Sequence, residues 1–285
     1  MTAPSGLAAL APRYDAILSD VWGVVHNGLA AHPSAVEALV NYRQGGGRVV
    51  LITNAPRPAA PIIEMLDQLG VPREAWDAVV SSGDATRSIL AAEYRGQTVH
   101  YVGPPGENDS LFEGLGITLG PAEEARAVVV TDLDSDDDTP DMYSDRIGVW
   151  LARHLPLIAA NPDRVVEHGD QLLYCGGALA DLYEARGGMV RMAGKPYRPI
   201  YAEALRLAEQ AAGKPLDRSR ILAIGDSVRT DAIGAAGAGL DLLFVTGSIH
   251  AAELDAFGAP NAATVAALVA PSGANMVAFM SRLAW

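Results

Sequence analysis

Short apolar runs flanked by turn residues alternate with stretches of helical spacing along most of this chain, and that alternation leaves few architectures open. Tyr14–Ser19, Arg48–Thr53 and Ala78–Ser81 read as buried strands. Between them, Ser34–Gln44 and Pro61–Leu69 carry helical spacing, each closed by a glycine, Gly45 and Gly70. Strand, helix and strand in succession imply βαβ units and a parallel sheet, so the fold class is α/β. The middle of the chain repeats the pattern, with strands at Thr98–Val102, Ala127–Thr131 and Leu155–Ala160 and helices near Pro140–Arg153 and Gly177–Arg186. It resumes with Met189–Ala193, a helix near Pro199–Ala211, the strand Ile221–Ile224, a helix after Thr230 and the strand Leu240–Val245. Two further helical stretches are expected at Ala262–Val269 and Asn275–Leu283.

With 285 residues, 49% of them hydrophobic, the chain can build a substantial core and suits one and a half to two domains. Its 34 acidic against 21 basic residues leave a net charge of −13. Such a surface repels nucleic acid and anionic membranes, so an anionic ligand must be held by local donors. Cys175 is the single cysteine, which excludes an internal disulfide framework and favours a reducing compartment. Met1 to Pro12 lacks the basic start of a signal peptide, and no apolar run approaches the roughly 20 residues needed to span a bilayer. A cytoplasmic protein is expected.

Chemistry-bearing residues gather at strand ends. Asp20 closes the first strand and precedes Val21-Trp22-Gly23; Thr53-Asn54 closes the second; Lys195 sits in the turn Gly194-Lys195-Pro196. Asp226 and Asp231 lie five residues apart in Gly225-Asp226-Ser227-Val228-Arg229-Thr230-Asp231, across a strand-to-helix turn. Taken singly, each has an ordinary reading: a turn cap, an N-cap pair, an exposed lysine, or carboxylates favouring a helix N-terminus. Together the balance changes, because a parallel sheet brings its strand ends to one edge, where such sheets bind ligands. Carboxylates for a hard cation, a lysine for a phosphate and a hydroxyl donor make up the kit for magnesium-assisted phosphoryl transfer.

These segments, in this order, resemble the haloacid dehalogenase superfamily, specifically its class IIA phosphatases. Ala160-Asn161-Pro162-Asp163 leading into Cys175-Gly176-Gly177-Ala178-Leu179 looks like the stretch that closes their cap, and Thr246-Gly247 matches the end of their core. The resemblance implies a Rossmann-like parallel-sheet core, residues 1–82 plus 189–285, with a smaller α/β cap inserted at 83–188. It implies that Asp20 attacks phosphorus and forms an aspartyl-phosphate while Thr53 and Lys195 hold the phosphoryl oxygens. Mg2+ would be bound by Asp20, the backbone carbonyl of Trp22, Asp226 and Asp231, with Asn54 near the phosphate or the substrate. The substrate would be a small phosphorylated metabolite such as a sugar phosphate. Relatives often dimerise through the cap, so a homodimer is implied by analogy.

Trp22 departs from the family pattern. It occupies the position of the second aspartate, which protonates the leaving alkoxide and then activates water, and an indole does neither. General acid–base catalysis is worth roughly 10²–10⁴-fold, so ordinary monoesterase activity should be weakened while metal binding persists. Three explanations stand open: a substrate with a good leaving group such as an acyl phosphate, a substitute residue, or an attenuated site that binds a phospho-ligand. His26, on the turn after Asp20, is the nearest substitute in sequence, since an imidazole titrating near neutrality suits the task. Other motifs fail. Asp132-Leu133-Asp134-Ser135-Asp136 lacks the glycine and terminal glutamate of a calcium loop. Gly225-Asp226-Ser227-Val228-Arg229 lacks the last glycine of a nucleophile elbow, and the glycines at 234–239 end a helix instead of opening one. Arg57 and Arg229 remain candidates for a phosphate or for solvent.

Overall fold

The computed structural model describes residues 6–168, 171–257 and 260–285; part of the Met1–Pro12 reading therefore lies outside the described residues. The chain begins with β1 (Ala16–Asp20), α1 (Pro33–Gln44), β2 (Arg48–Thr53), α2 (Ala59–Gln68) and β3 (Ala78–Ser81). Then α3 (Ser82–Glu93) starts at Ser81, whose side chain accepts from the Asp84 N–H, an N-cap that meets one unpaired donor of the first turn. A second set follows: β4 (Thr98–Val102), β5 (Thr118–Leu119), β6 (Val128–Val130), α4 (Ser144–Ala152) and β7 (Leu157–Ala159). It continues with β8 (Val165–His168), β9 (Gln171–Tyr174), α5 (Gly176–Ala185) and β10 (Val190–Met192). The chain returns through α6 (Arg198–Ala212), β11 (Ile221–Gly225), α7 (Ile233–Ala238) and β12 (Asp241–Val245). It ends with α8 (Ala251–Leu254), α9 (Ala262–Val269) and β13 (Asn275–Met280).

The larger sheet is six-stranded and parallel, in the order β13-β12-β11-β1-β2-β3. Both of its faces are covered. Ile17, Val49, Leu51, Ile224 and Leu243 pack on one side, and Leu18, Val50, Ile52, Leu242 and Phe244 on the other. Burial on two faces is why these strands read as unbroken apolar runs instead of alternating ones. From β1 the chain builds outward to β2 on one side and later to β11 on the other, which makes the carboxyl end of β1 a topological switch point.

The smaller sheet, β10-β7-β6-β4-β5, has its own core, including Trp150 and Tyr183, and carries β8–β9 as a separate antiparallel hairpin. It takes in β10, which pairs with β7 and lies beyond residue 188. The expected helix at Asn275–Leu283 is a strand: β13 pairs along β12 with a register shift between Leu242 and Leu243. A short apolar run carries no decisive period, and the open edge of β12 supplies the ladder partners that decide it.

Candidate active site

The register of the larger sheet gathers the expected residues. Asp20 lies opposite Ile52 of β2, and Ser19 opposite Ile224 of β11. Thr53-Asn54 and Asp226 therefore emerge beside Asp20 at the carboxyl edge, and Lys195 joins them from the return between β10 and α6. Lys195 Nζ donates to Asp20 Oδ1 at 2.6 Å and to Asp231 Oδ1 at 2.7 Å. The lysine's main chain is fastened by Asn54, whose Oδ1 accepts from Lys195 N at 2.7 Å and whose Nδ2 donates to Lys195 O at 3.3 Å. Gly194 permits that approach, since a Cβ there would lie 2.3 Å from Asn54 Oδ1.

Asp226 follows β11 directly, and a π-helical turn, Val228–Ala232, comes next, a geometry found mainly at functional sites. The turn swings Asp231 back over the strand end, where Ser227 N–H donates to Asp231 Oδ2 at 3.1 Å. Asp20, Asp226 and Asp231 each present an oxygen, all within 4.8 Å of one another. Gly23, at φ +84°, follows Trp22, and a Cβ there would lie 2.1 Å from Asp226 Oδ2. The main chain beside Trp22 thus runs against the same carboxylates.

The charge balance of this cluster suits a cation. Burial, opposed by Lys195, pushes the Asp20 carboxyl well above its ordinary range, with Asp231 and Asp226 adding to the rise. Burial and then Asp231 raise Asp226 to about 7, against the Ser248 hydroxyl and Lys195. Burial draws the Lys195 ammonium down, but Asp20 and Asp231 outweigh it and hold the group well above its usual value. One ammonium is too little charge for the acids packed around it. A hard divalent cation taking carboxylate and carbonyl oxygens fits the donor set.

The remaining candidates are placed as follows. Thr53 Oγ1 accepts from Ala55 N at 3.2 Å, which leaves its own proton to donate into the site. Trp22 is partly exposed; its ring meets His26 edge-on at 4.9 Å, and a Cβ at Gly28 would lie 2.7 Å from it and 2.9 Å from His168 of β8. Gly28 thus lies between the indole and His168 of the hairpin. His26 departs from expectation. It is fully buried, and its Nδ1 accepts from Gly28 N at 2.9 Å. Burial, with His32 adding, lowers its pKa to about 4, so the ring is neutral at pH 7 and does not titrate there. Arg57 reaches across to Asn108 and Glu107, both at 3.1 Å, and Arg229 faces Asp181 at 3.6 Å. Asp134 and Asp138 hold Gly103 N and the Tyr143 hydroxyl respectively, so the acidic loop serves local structure. Cys175 is buried, and burial pushes its thiol well up, as befits a core residue.

The cluster opens into a cavity of about 880 Å³ between the two sheets, bounded by Asp20, Trp22 and Lys195 below and by Asp132, Asp163 and Tyr174 above. Asp163 is the residue to which sequence reasoning assigned no role. Asn54 Nδ2 donates to its Oδ1 at 3.0 Å; the signal was the Asn161-Pro162-Asp163 segment, whose partner in the core no pattern names.

Comparison with known proteins agrees with this layout. A haloacid dehalogenase-like hydrolase model matches residues 17–118 and a HAD-hydrolase-like model residues 192–271. A solved haloacid dehalogenase-like hydrolase from Brucella suis 1330 is 42% identical with a TM-score of 0.87, covering 98% of this chain and 99% of that one. A D-glycerol 3-phosphate phosphatase of Mycobacterium tuberculosis is 27% identical over 86% of this chain and 67% of its own. An acid sugar phosphatase of Staphylococcus saprophyticus is 26% identical over 85% and 90%. A glycerol phosphate phosphatase from M. tuberculosis, 25% identical with a TM-score of 0.63 over 91% of this chain and 74% of that one, is solved in complex with magnesium. Sheet order, buried site and both halves of the sequence match place this chain among the haloacid dehalogenase-like hydrolases.

Proposed function

We propose that this chain is a magnesium-dependent phosphatase of a small phosphorylated metabolite, such as a sugar phosphate, acting through an aspartyl-phosphate on Asp20. The observation that carries the reading is Lys195 Nζ bridging Asp20 and Asp231, 2.6 and 2.7 Å away, beside a third buried carboxylate. Asp20, Asp226, Asp231 and the Trp22 carbonyl would hold the cation, which supplies charge neutralisation for the phosphoryl oxygens when bound. Asp20 presents its free oxygen to phosphorus, and Lys195 and the Thr53 hydroxyl bind the equatorial oxygens as charge grows on them. Asn54 keeps the lysine turn in register. The indole of Trp22 walls the leaving-group side and excludes water, and buried His26 supports it. The names of the relatives favour a polyol or sugar phosphate, whose alkoxide leaving group needs an acid that Trp22 does not supply.

The test is turnover of alkyl, aryl and acyl phosphates by the full chain with magnesium and with a chelator. Hydrolysis of at least one class, lost with chelator, is expected. No hydrolysis of any class together with retained phosphate binding would turn the reading into its alternative, an attenuated phospho-ligand-binding or regulatory protein. Trp22→Asp tests the missing carboxylate: where no other residue supplies the acid, hydrolysis of alkyl phosphates should rise by about tenfold or more, towards the roughly 10²–10⁴-fold of acid–base catalysis. An unchanged rate in a folded variant would mean that another residue already supplies the acid.

A further inference from the structure

The segment from Ala160 to Asp163 and the Gly176-Gly177 pair have a purpose beyond closing the smaller domain. They hold a carboxylate over the catalytic edge of the other one. Asp163 follows β7 and reaches Asn54 across the domain boundary at 3.0 Å. Its loop is fastened from three sides: Asp163 N donates to Asn161 Oδ1 at 3.2 Å, Asn161 Nδ2 to Asp132 Oδ1 at 2.8 Å, and Gly177 N to Asp163 O at 3.0 Å. The glycines permit this, because a Cβ at Gly177 would lie 2.1 Å from Pro162 O and one at Gly176 2.7 Å from Thr131 O. Either side chain would push the loop away from the core.

Asp163 lines the same cavity as Asp20 and Trp22, yet it is not among the clustered acids Asp20, Asp226 and Asp231. A carboxylate outside the cation cluster, facing the cavity, is what the site lacks at Trp22. We propose that Asp163, delivered by the smaller domain, performs the proton transfers that position 22 does not supply; this rests on Asp20 being the nucleophile. Burial raises its pKa, opposed by Lys195 and the Asn54 hydrogen bond and assisted by Asp231.

The two half-reactions then balance. An Asp20 oxygen bonds to phosphorus, the bond from phosphorus to the leaving oxygen breaks, and the Asp163 proton passes to that oxygen. A water oxygen next bonds to phosphorus, its proton returns to Asp163, and the bond to Asp20 breaks. Ester and water become alcohol and phosphate, with both side chains restored. Because Asp163 belongs to the smaller domain, the acid is present only when that domain sits against the core.

Asp163→Asn keeps the shape and an oxygen for Asn54. Against wild type, hydrolysis of glycerol phosphate should fall on the order of 10²-fold or more. The release of nitrophenol in the first turnover of 4-nitrophenyl phosphate should fall by less than about tenfold, since that leaving group needs little acid. A phosphoenzyme burst should appear, because water is no longer activated. Trp22→Asp added to Asp163→Asn should restore part of the glycerol phosphate rate, and Asp163→Glu should retain part of it. An equal loss on both esters in the Asn and Glu variants, with no burst, would assign Asp163 to holding Asn54 alone and overturn the proposal, as would unchanged rates. Thermal midpoint and magnesium binding check that each variant folds. Wild type inactive on every phosphate class would instead overturn the phosphatase reading.

Discussion

Asp20→Asn should eliminate turnover, lowering kcat on the order of 10⁴-fold or more, while leaving a folded protein that still binds phosphate. The effect is large because covalent catalysis has no partial form: an amide oxygen neither attacks phosphorus effectively nor leaves as a carboxylate. The fold should tolerate the change. Burial already disfavours charge on Asp20, with Asp231 and Asp226 repelling it, so a neutral side chain relieves part of the strain among the acids. Lys195 keeps Asp231 as a partner at 2.7 Å. Acid quench with labelled substrate should trap a phosphoenzyme in wild type and none in the variant. A variant retaining a tenth of the wild-type rate would show that water attacks phosphorus directly.

Lys195→Met should produce the largest loss of stability of any single change at this edge. The ammonium is 2% exposed and serves two carboxylates that are themselves 5% and 3% exposed, Asp20 and Asp231. Removing one member of a buried ion pair leaves uncompensated charge and typically costs about 3–5 kcal/mol. For a chain of this size, that corresponds to a fall in Tm on the order of 10 °C. The loss should be greatest in metal-free protein near neutral pH and shrink under acid conditions, as the Asp20 carboxyl, pushed well above its ordinary range by burial, takes up a proton. Magnesium should restore part of it by supplying the missing positive charge. Denaturant unfolding with magnesium and with chelator measures both, and a change below about 1 kcal/mol in either condition would mean that the Lys195 ion pairs contribute nothing net to the fold. Turnover should fall with the lost phosphoryl contact in either case.

Trp22 and Asp163 show where reading from sequence stopped. The indole was legible as a departure at a position that ordinarily holds a carboxylate, because Asp20 and Gly23 on either side keep their places. What compensates for it was not legible. Asp163 is 109 residues from Asn54, and no local pattern ties them. His26 was close in sequence and looked apt, but proximity along the chain said nothing of burial, which takes its pKa down to about 4. The strand at Asn275–Met280 failed for a related reason, since only the exposed edge of β12 selected it over a helix.

By itself the sequence determined the alternation that builds a parallel sheet and the residues at its carboxyl ends, and so nominated Asp20, Thr53, Asn54, Lys195, Asp226 and Asp231 as one candidate site. Local period and turn chemistry carry that information, because each strand end is written in a few consecutive residues. The tertiary structure decided the charge states, the cavity over the site and the arrival of Asp163 from the other domain. Those depend on burial and on contacts between distant segments, which exist only once the two sheets face each other.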